Sequence, residues 1–292
     1  MMEQMLITFA FFTLILGTLS CSDKDGNKVP IGLNIDLEEV DSITIKSHIA
    51  RFNLEKADQK WLLNYQKKKF SAKKNTVENL ISLLNTIKFT NMVNDKPDKY
   101  KDFLVDSSGT QITVYSSNTI DLDIIIGLFG MESKEVYHTY VRAKGEKEVY
   151  AAPQFIGIAI ERNPANYRNR ILTKINKDSI QAISFDYHND SSFEINNSQN
   201  GWELNGRKLD SLSIEEFVSA ATSIIGTQLF DENINDKTPK MILRFHLLGY
   251  REITVSAFQQ KNNTWVFSSS ENKDNYFSDE KILWFYKMQT EF

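Results

Sequence analysis

The sequence predicts an α+β protein built as two tandem duplicated repeats, each an antiparallel sheet with one main helix and a short closing helix. Two observations carry this. Apolar residues alternate along many short segments separated by polar turns, with only two long stretches of helical spacing, and strands following one another with few intervening helices point to antiparallel sheets. The halves also repeat. Asp41-Ser42-Ile43 returns as Asp178-Ser179-Ile180. Phe52, followed nine residues later by Trp61-Leu62-Leu63-Asn64, returns as Phe193 and Trp202-Glu203-Leu204-Asn205, and the offset stays between 137 and 141 throughout. Each copy is domain-sized rather than a short solenoid unit. The expected boundaries are a signal peptide over 1–20, a tether over 21–39, a first repeat over 40–165 and a second over 166–292, with the step between repeats in Arg162 to Lys177.

Within each copy the elements follow in the same order. Ser42 to Ile45 alternates and reads as a strand. Arg51 to Leu54 and Trp61 to Tyr65 read as a hairpin around the polar turn Lys56 to Lys60; the counterpart turn, Asn196 to Gly201, has turn chemistry in its Asn and Gly. Asn75 or Thr76 is expected to cap a helix with Val77, Leu80, Ile81, Leu84 and Ile87 on one face. Ser213 is expected to cap its counterpart, with Ile214, Phe217, Val218, Ala221 and Ile224 inward. Alternating strands follow at Gln111 to Tyr115, Leu122 to Ile126 and His138 to Arg142, and in the second copy at Met241 to Leu247, Glu252 to Phe258 and Trp265 to Ser269. Closing helices are expected near Pro153 to Arg162 and Glu280 to Met288. Trp61 and Trp202, at matching hairpin positions, are expected in the core.

Ahead of the repeats, Met5 to Ser20 is a 16-residue uncharged apolar run that ends at Cys21, the only cysteine, where the chain turns abruptly polar. Sixteen residues fall short of the roughly 20 needed to span a bilayer as a helix, so the run reads as a signal peptide. Ser20 suits the position before cleavage, although Thr18 replaces the usual aliphatic residue and the leader lacks a basic residue. The expected outcome is a lipoprotein carrying palmitate-type acyl chains on Cys21, where two or three chains anchor stably and one would not. That implies a membrane partner through the lipid and an extracytoplasmic position on the bacterial cell envelope. Ser22 does not suggest inner-membrane retention, so the outer membrane is favoured; Asp23 and Asp25 leave export to the cell surface open beside a plain flexible tether.

Composition is that of an ordinary globular protein, with 41% hydrophobic and 25% charged residues. A net charge of −4 gives no basic footprint, so no nucleic-acid partner is expected. With Cys21 acylated, the mature chain has no disulfide and no thiol chemistry.

The Phe-x-Leu…Trp-x-Leu hairpin, the helix after it, Tyr140-Val141-Arg142…Val149-Tyr150 and the step Tyr167-Arg168-Asn169-Arg170 between the halves together resemble the bacterial lipoprotein family known as domain of unknown function 4340. The second copy departs from the Tyr-Val-Arg pattern with Trp265-Val266-Phe267. The resemblance implies no reaction and carries over no catalytic residue. It implies a partner class, since members are often encoded beside ABC exporter components of the gliding-motility type.

No chemical motif stands out. His48, His138, His188 and His246 are scattered, and neither a His-Glu-x-x-His pattern nor a free thiolate offers a zinc site. No Gly-x-Ser-x-Gly occurs; Ser107-Ser108-Gly109 reads as a turn. Gly127-Leu-Phe-Gly130 lacks the Lys and Ser/Thr of a phosphate loop. Asp231 to Asp236 begins like a calcium loop but has Asp236 where glycine is needed and Ile242 where the bidentate glutamate belongs, so it reads as a helix-to-strand turn. Asp121 and Asp123 share one strand face and are expected as exposed edge acids. Lys67, Lys68, Lys69, Lys73 and Lys74 are expected in a solvated loop, with anionic lipid or an acidic partner as the functional reading. Ile282 to Tyr286 should dock on the second repeat, and any apolar residue left exposed there is a candidate partner surface. The sequence therefore predicts no enzyme, no catalytic residue, no cofactor and no metal. The expected role is an accessory or scaffold component of an envelope complex such as an ABC-type exporter; the alternative is a ligand- or glycan-binding lipoprotein with its site between the repeats.

Overall fold

A computed structural model describes residues 34–89, 91–133, 136–152, 155–188, 192–232, 234 and 237–287. The signal peptide, Cys21 and most of the tether lie outside them. The first repeat contains β1 (Val40–Lys46), β2 (Arg51–Ala57), β3 (Lys60–Tyr65), β4 (Lys68–Ser71), helix α1 (Lys74–Asn85), β5 (Met92–Asn94), β6 (Thr110–Ser116), β7 (Thr119–Ser133), β8 (Val136–Ala143), β9 (Val149–Ala152) and the short helix α2 (Ile156–Ala159). The second contains β10 (Ile180–Tyr187), β11 (Phe193–Ser198), β12 (Gly201–Leu204), β13 (Arg207–Lys208), helix α3 (Ser211–Ala221), β14 (Met241–Leu247), β15 (Arg251–Gln259), β16 (Trp265–Ser269) and β17 (Asn272–Phe277), and ends in a 3₁₀ segment, Glu280–Tyr286.

The two sheets have one topology. Their strand orders are β4-β3-β2-β1-β6-β7-β8-β9-β5 and β13-β12-β11-β10-β14-β15-β16-β17, with antiparallel pairing throughout. In both, the first strand of the repeat lies centrally, and after the main helix the chain first touches the far edge, as β5 on β9 and as Leu229 bridging Phe277 of β17, before β6 and β14 enter the middle of the sheet. Even an irregularity is shared. The register shifts between Val40 and Ser42 where β1 meets β6, and between Ile180 and Ala182 where β10 meets β14. A bulge at equivalent places in two copies is a designed feature of the unit.

Tight hairpins set the registers. Asp58 and Gln59 both have positive φ (47° and 63°), as do Gln66 with Lys67 and Ser117 with Asn118. Paired positive φ values match the turn twist to the strand twist. The turn expected over Lys56 to Lys60 thus shrinks to two residues, and its flanks join the strands.

Each sheet buries one face under its main helix. Ile43, Ile45, Leu54, Leu63, Ile112 and Val114 meet Val77, Leu80, Ile81 and Leu84 of α1; Ile183, Phe185, Ile195, Leu243, Phe245 and Val255 meet Ile214, Phe217, Val218 and Ala221 of α3. A fully buried side chain of this size contributes about 1.5–3 kcal/mol. Trp61 and Trp202 are 3% and 6% exposed and belong to these cores, as expected. Ile87 and Ile224 are buried too, just beyond the helix ends.

The helix starts differ from expectation. Helix α1 begins at Lys74 after Lys73, which offers no side-chain cap; the Lys73 N–H instead donates to the Tyr167 carbonyl at 2.6 Å. Tertiary pairing, not Asn75 or Thr76, fixes this end. Helix α3 begins at Ser211, and its cap is Asp210, whose carboxylate accepts from the Ser213 N–H at 2.9 Å. Ser213 is the capped residue, not the cap. The closing helices are shorter than expected: α2 spans four residues, and the segment Glu280–Tyr286 is 3₁₀ rather than α.

Candidate functional site

The chain between the repeats is pinned to both of them. Tyr167 is 1% exposed and sets its ring 5.3 Å from Phe52, while its hydroxyl donates to the Glu161 carbonyl at 3.1 Å. Burial first, then the Glu161 charge, pushes its phenol well above the usual range. The Asn169 N–H donates to the Ser71 carbonyl at 2.8 Å, and Ala72 bridges Arg168. Further on, the Leu172 N–H donates to the Ile224 carbonyl, and the Gly226 N–H to the Arg170 carbonyl. The segment therefore adds to β4 on one side and to the exit of α3 on the other.

Arg168 sits at the centre of this junction and is 4% exposed. Its guanidinium carbon lies 3.9 Å from the Phe70 ring centre. Its Nε donates to Asn275 Oδ1 at 2.6 Å, and a terminal nitrogen pairs with Asp231. Asn275, also buried, donates to the Ser71 carbonyl at 3.1 Å and to Asn272 Oδ1 at 2.7 Å. Asn272 donates onward to the Asn169 and Ile171 carbonyls. A buried charge is tolerable when it is paired and its hydrogen-bonding capacity is used. Here the partners come from both repeats, so one residue joins the two sheets.

Beside Arg168 opens a cavity of about 370 Å³ between the repeats, with Lys68, Lys69, Lys237 and Lys273 on its rim and Phe230 and Tyr276 in its wall. The lysine cluster is thus a loop only in part: Lys67 sits in the turn between β3 and β4 and Lys73 just ahead of α1. Lys68 and Lys69 belong to β4, Lys68 Nζ donates to the Asp231 carbonyl at 2.9 Å, and Lys69 and Lys74 pair with Glu55 and Glu78 at 3.5 and 3.4 Å. The latter exposed pairs contribute little to stability. Asp231, read from sequence as the start of a turn, reaches the junction; Asn233, Asn235 and Asp236 lie outside the described residues.

On the solvent face of the second sheet the structure assembles a group that motif searching missed. Ser184 Oγ lies 2.6 Å from His246 Nε2 and donates to Glu194 Oε2 at 2.7 Å, and His246 Nδ1 lies 3.6 Å from Glu252. The residues sit on β10, β11, β14 and β15, so only cross-strand register could have revealed them. Ser184 Oγ thus contacts both the Glu194 carboxylate and the His246 imidazole. Strands β10 and β14 are each paired on both sides, which commits their N–H groups to the ladder instead of an oxyanion.

The other sequence candidates stay apart. His138 bonds the Tyr140 hydroxyl at 2.9 Å, and His48 and His188 are exposed. Asp121 and Asp123 share a face, but β7 lies inside the sheet rather than at its edge. Asp123 accepts from Gln111 Nε2 at 2.8 Å and pairs with Lys144 at 3.2 Å, and Asp121 bonds Ser116. Gly127 lies within β7, where an added Cβ would fall 2.2 Å from the Phe103 carbonyl. Arg142 of the Tyr-Val-Arg motif lies over the Tyr100 ring at 4.2 Å. Of the C-terminal run, Ile282 and Tyr286 are buried and Trp284 is 37% exposed. Among the described residues no group of three His, Cys, Asp or Glu is placed to hold a metal ion, and no helix is long and apolar enough to cross a membrane.

No curated protein and no solved structure matches this chain. A family model does: the one described as Domain of unknown function (DUF4340) matches residues 61–237, from the Trp61 hairpin through Arg168 and past Asp231. More than half of the chain is covered, so the protein belongs to that family.

Proposed function

We propose that the protein is a lipid-anchored extracytoplasmic lipoprotein that works by holding a partner within an envelope complex and carries out no reaction of its own. The observation that supports this reading best is the junction. Arg168 on the Phe70 ring, and Asn275 and Asn169 on the Ser71 carbonyl, tie the two sheets to one another. Anchoring rests on the apolar run Met5 to Ser20 ending at Cys21. The choice of an ABC-type exporter as partner rests on the family resemblance alone. The test is in-cell crosslinking, then recovery of the full chain from solubilised native membranes, beside a Cys21→Ala variant. Reproducible recovery of exporter subunits with the acylated chain supports the proposal. Recovery of the acylated chain alone sinks the complex, and an unacylated chain sinks the anchor.

The second reading, a small-ligand or glycan binder, is favoured by the cavity beside Arg168. Its volume falls in the range of about 300–1,000 Å³ typical of ligand sites. A melting-temperature screen against saccharides, repeated on Lys273→Glu, would expose a ligand that the substitution weakens.

A further inference from the structure

The solvent face of the first sheet carries positive charge that the fold does not use. Two depressions of about 320 Å³ each lie on it and share Arg51. Six cations line them, Lys46, Arg51, Lys67, Lys68, Lys69 and Lys144, against one carboxylate, Asp123. In a chain of net charge −4 this is a local excess, and a cleft lined by one sign of charge concentrates the other. Asp123 is already matched by Lys144 at 3.2 Å, and Glu55, at the border, by Lys69 at 3.5 Å. Lys46, Arg51 and Lys67 pair with no carboxylate among the described residues. Lys46 and Arg51 also stand directly opposite one another in the β1–β2 ladder, where facing like charges are destabilising. The pair does nothing for the ladder and is placed to hold an anion from outside it.

A row of amides and hydroxyls runs between these cations. Asn64, Asn53, Thr44 and Thr113 are successive partners across β3, β2, β1 and β6, with Lys69 of β4 at one end and Asp123 of β7 at the other. At about 4.8 Å per strand the row is about 24 Å long. Amides and hydroxyls both donate and accept, which matches the hydroxyls of a sugar, and Tyr115 adds a ring to the wall of one depression. Strands β1, β2, β3 and β6 are each paired on both sides, so none offers a free edge to a peptide strand. Two joined depressions suit an extended chain laid along them rather than a plane of headgroups. From this geometry we infer that the solvent face of sheet one binds an acidic oligosaccharide, with its carboxylate or sulfate groups on Lys46, Arg51 and Lys67 and its hydroxyls on the Asn–Thr row. The inference rests on the glycan-binding reading above and moves its site from the cavity beside Arg168 to the sheet face.

The test is calorimetric titration of the full chain, in nonionic detergent micelles at low salt, with oligogalacturonate, a heparin oligosaccharide and methyl-esterified oligogalacturonate. At least one of the two acidic saccharides should bind, and the ester, which keeps the backbone and loses the charge, should not. Lys46→Gln and Arg51→Gln should each weaken binding about 10- to 100-fold. Lys261→Gln, in an exposed turn of repeat two, should leave it unchanged. Both sheet-face residues are exposed and face a like charge, so their variants should melt no lower than the wild type. Failure of both acidic saccharides to bind overturns the inference, as does equal binding of the ester or an equal loss in Lys261→Gln. Tighter binding of polyglutamate, or of micelles doped with phosphatidylglycerol, overturns it in favour of an acidic protein or a lipid. Binding lost in Lys273→Glu but kept in Lys46→Gln and Arg51→Gln puts the glycan in the cavity beside Arg168; that outcome sinks the sheet-face site and leaves the glycan-binding reading standing.

Discussion

Replacing Arg168 tests whether one side chain joins the repeats. In Arg168→Ala, Asn275 Oδ1 loses its donor inside a residue with no exposed surface, at a cost of about 1–3 kcal/mol. The stacked contact on Phe70 at 3.9 Å is lost as well, worth about 1–2 kcal/mol when desolvated. Asp231, whose side chain is 63% exposed, regains water and adds little. The expected loss is about 3–4 kcal/mol, and Arg168→Lys should lose about half, because an ammonium cannot lie flat on the ring or reproduce the Nε bond. Urea unfolding followed by both circular dichroism and tryptophan fluorescence reads the coupling. Three of the four tryptophans, Trp202, Trp265 and Trp284, are in repeat two, so fluorescence is weighted toward that half. The two signals should coincide in the wild type and separate in Arg168→Ala. A loss below about 1 kcal/mol with coincident transitions would refute the reasoning.

Further outcomes follow from packing, protonation and chemistry. Gly226→Ala would place a Cβ 2.2 Å from the Phe277 ring, itself fully buried; overpacking should cost about 2–3 kcal/mol, seen as a melting temperature lower by about 4–10 °C. Burial raises the Tyr187 phenol from 10.0 to about 12, with its hydroxyl donating to the Tyr286 carbonyl at 2.6 Å. The folded state therefore holds this proton more tightly, and the stability it confers is complete below pH 10 and lost as pH rises through about 12. Denaturation across pH 9–12 should show that decline, and Tyr187→Phe should make it shallower, with the buried Tyr167 and Tyr286 phenols, raised the same way, supplying the rest. Ser184→Ala should leave folding intact, and wild type and variant should hydrolyse p-nitrophenyl acetate equally, at the background rate; serine-dependent turnover would overturn the non-enzymatic reading.

Much of the fold was legible because it rests on periodicity. The hairpins around Trp61 and Trp202 and the inward faces of α1 and α3 follow from the spacing of apolar residues, and the duplication follows from matched offsets. The short strands were not legible. Strand β4 reads Lys-Lys-Phe-Ser and β17 reads Asn-Lys-Asp-Asn-Tyr-Phe, and neither alternates strongly enough to stand out from a loop. The start of α1 was hidden because its partner is a carbonyl far along the chain. The junction was half legible. Tyr167-Arg168-Asn169-Arg170 drew notice as a motif, but its meaning depends on Asp231 and Asn275, which lie 63 and 107 residues away in sequence. The Ser184–His246 contact fails for the same reason, since four strands supply it.

The junction also makes the two copies differ at the edge by which they join. Phe70 pairs with Leu63 across β3 and β4, and the register of the second hairpin puts Arg207 opposite Leu204 at the matching place. Where repeat one offers a ring for an incoming guanidinium, repeat two offers a cation. Strand β13 is also only two residues long, exposed and basic, which discourages another sheet edge from adding there. The ring that receives Arg168 in repeat one thus has no counterpart at the matching edge of repeat two, and the two copies present chemically unlike outer hairpins.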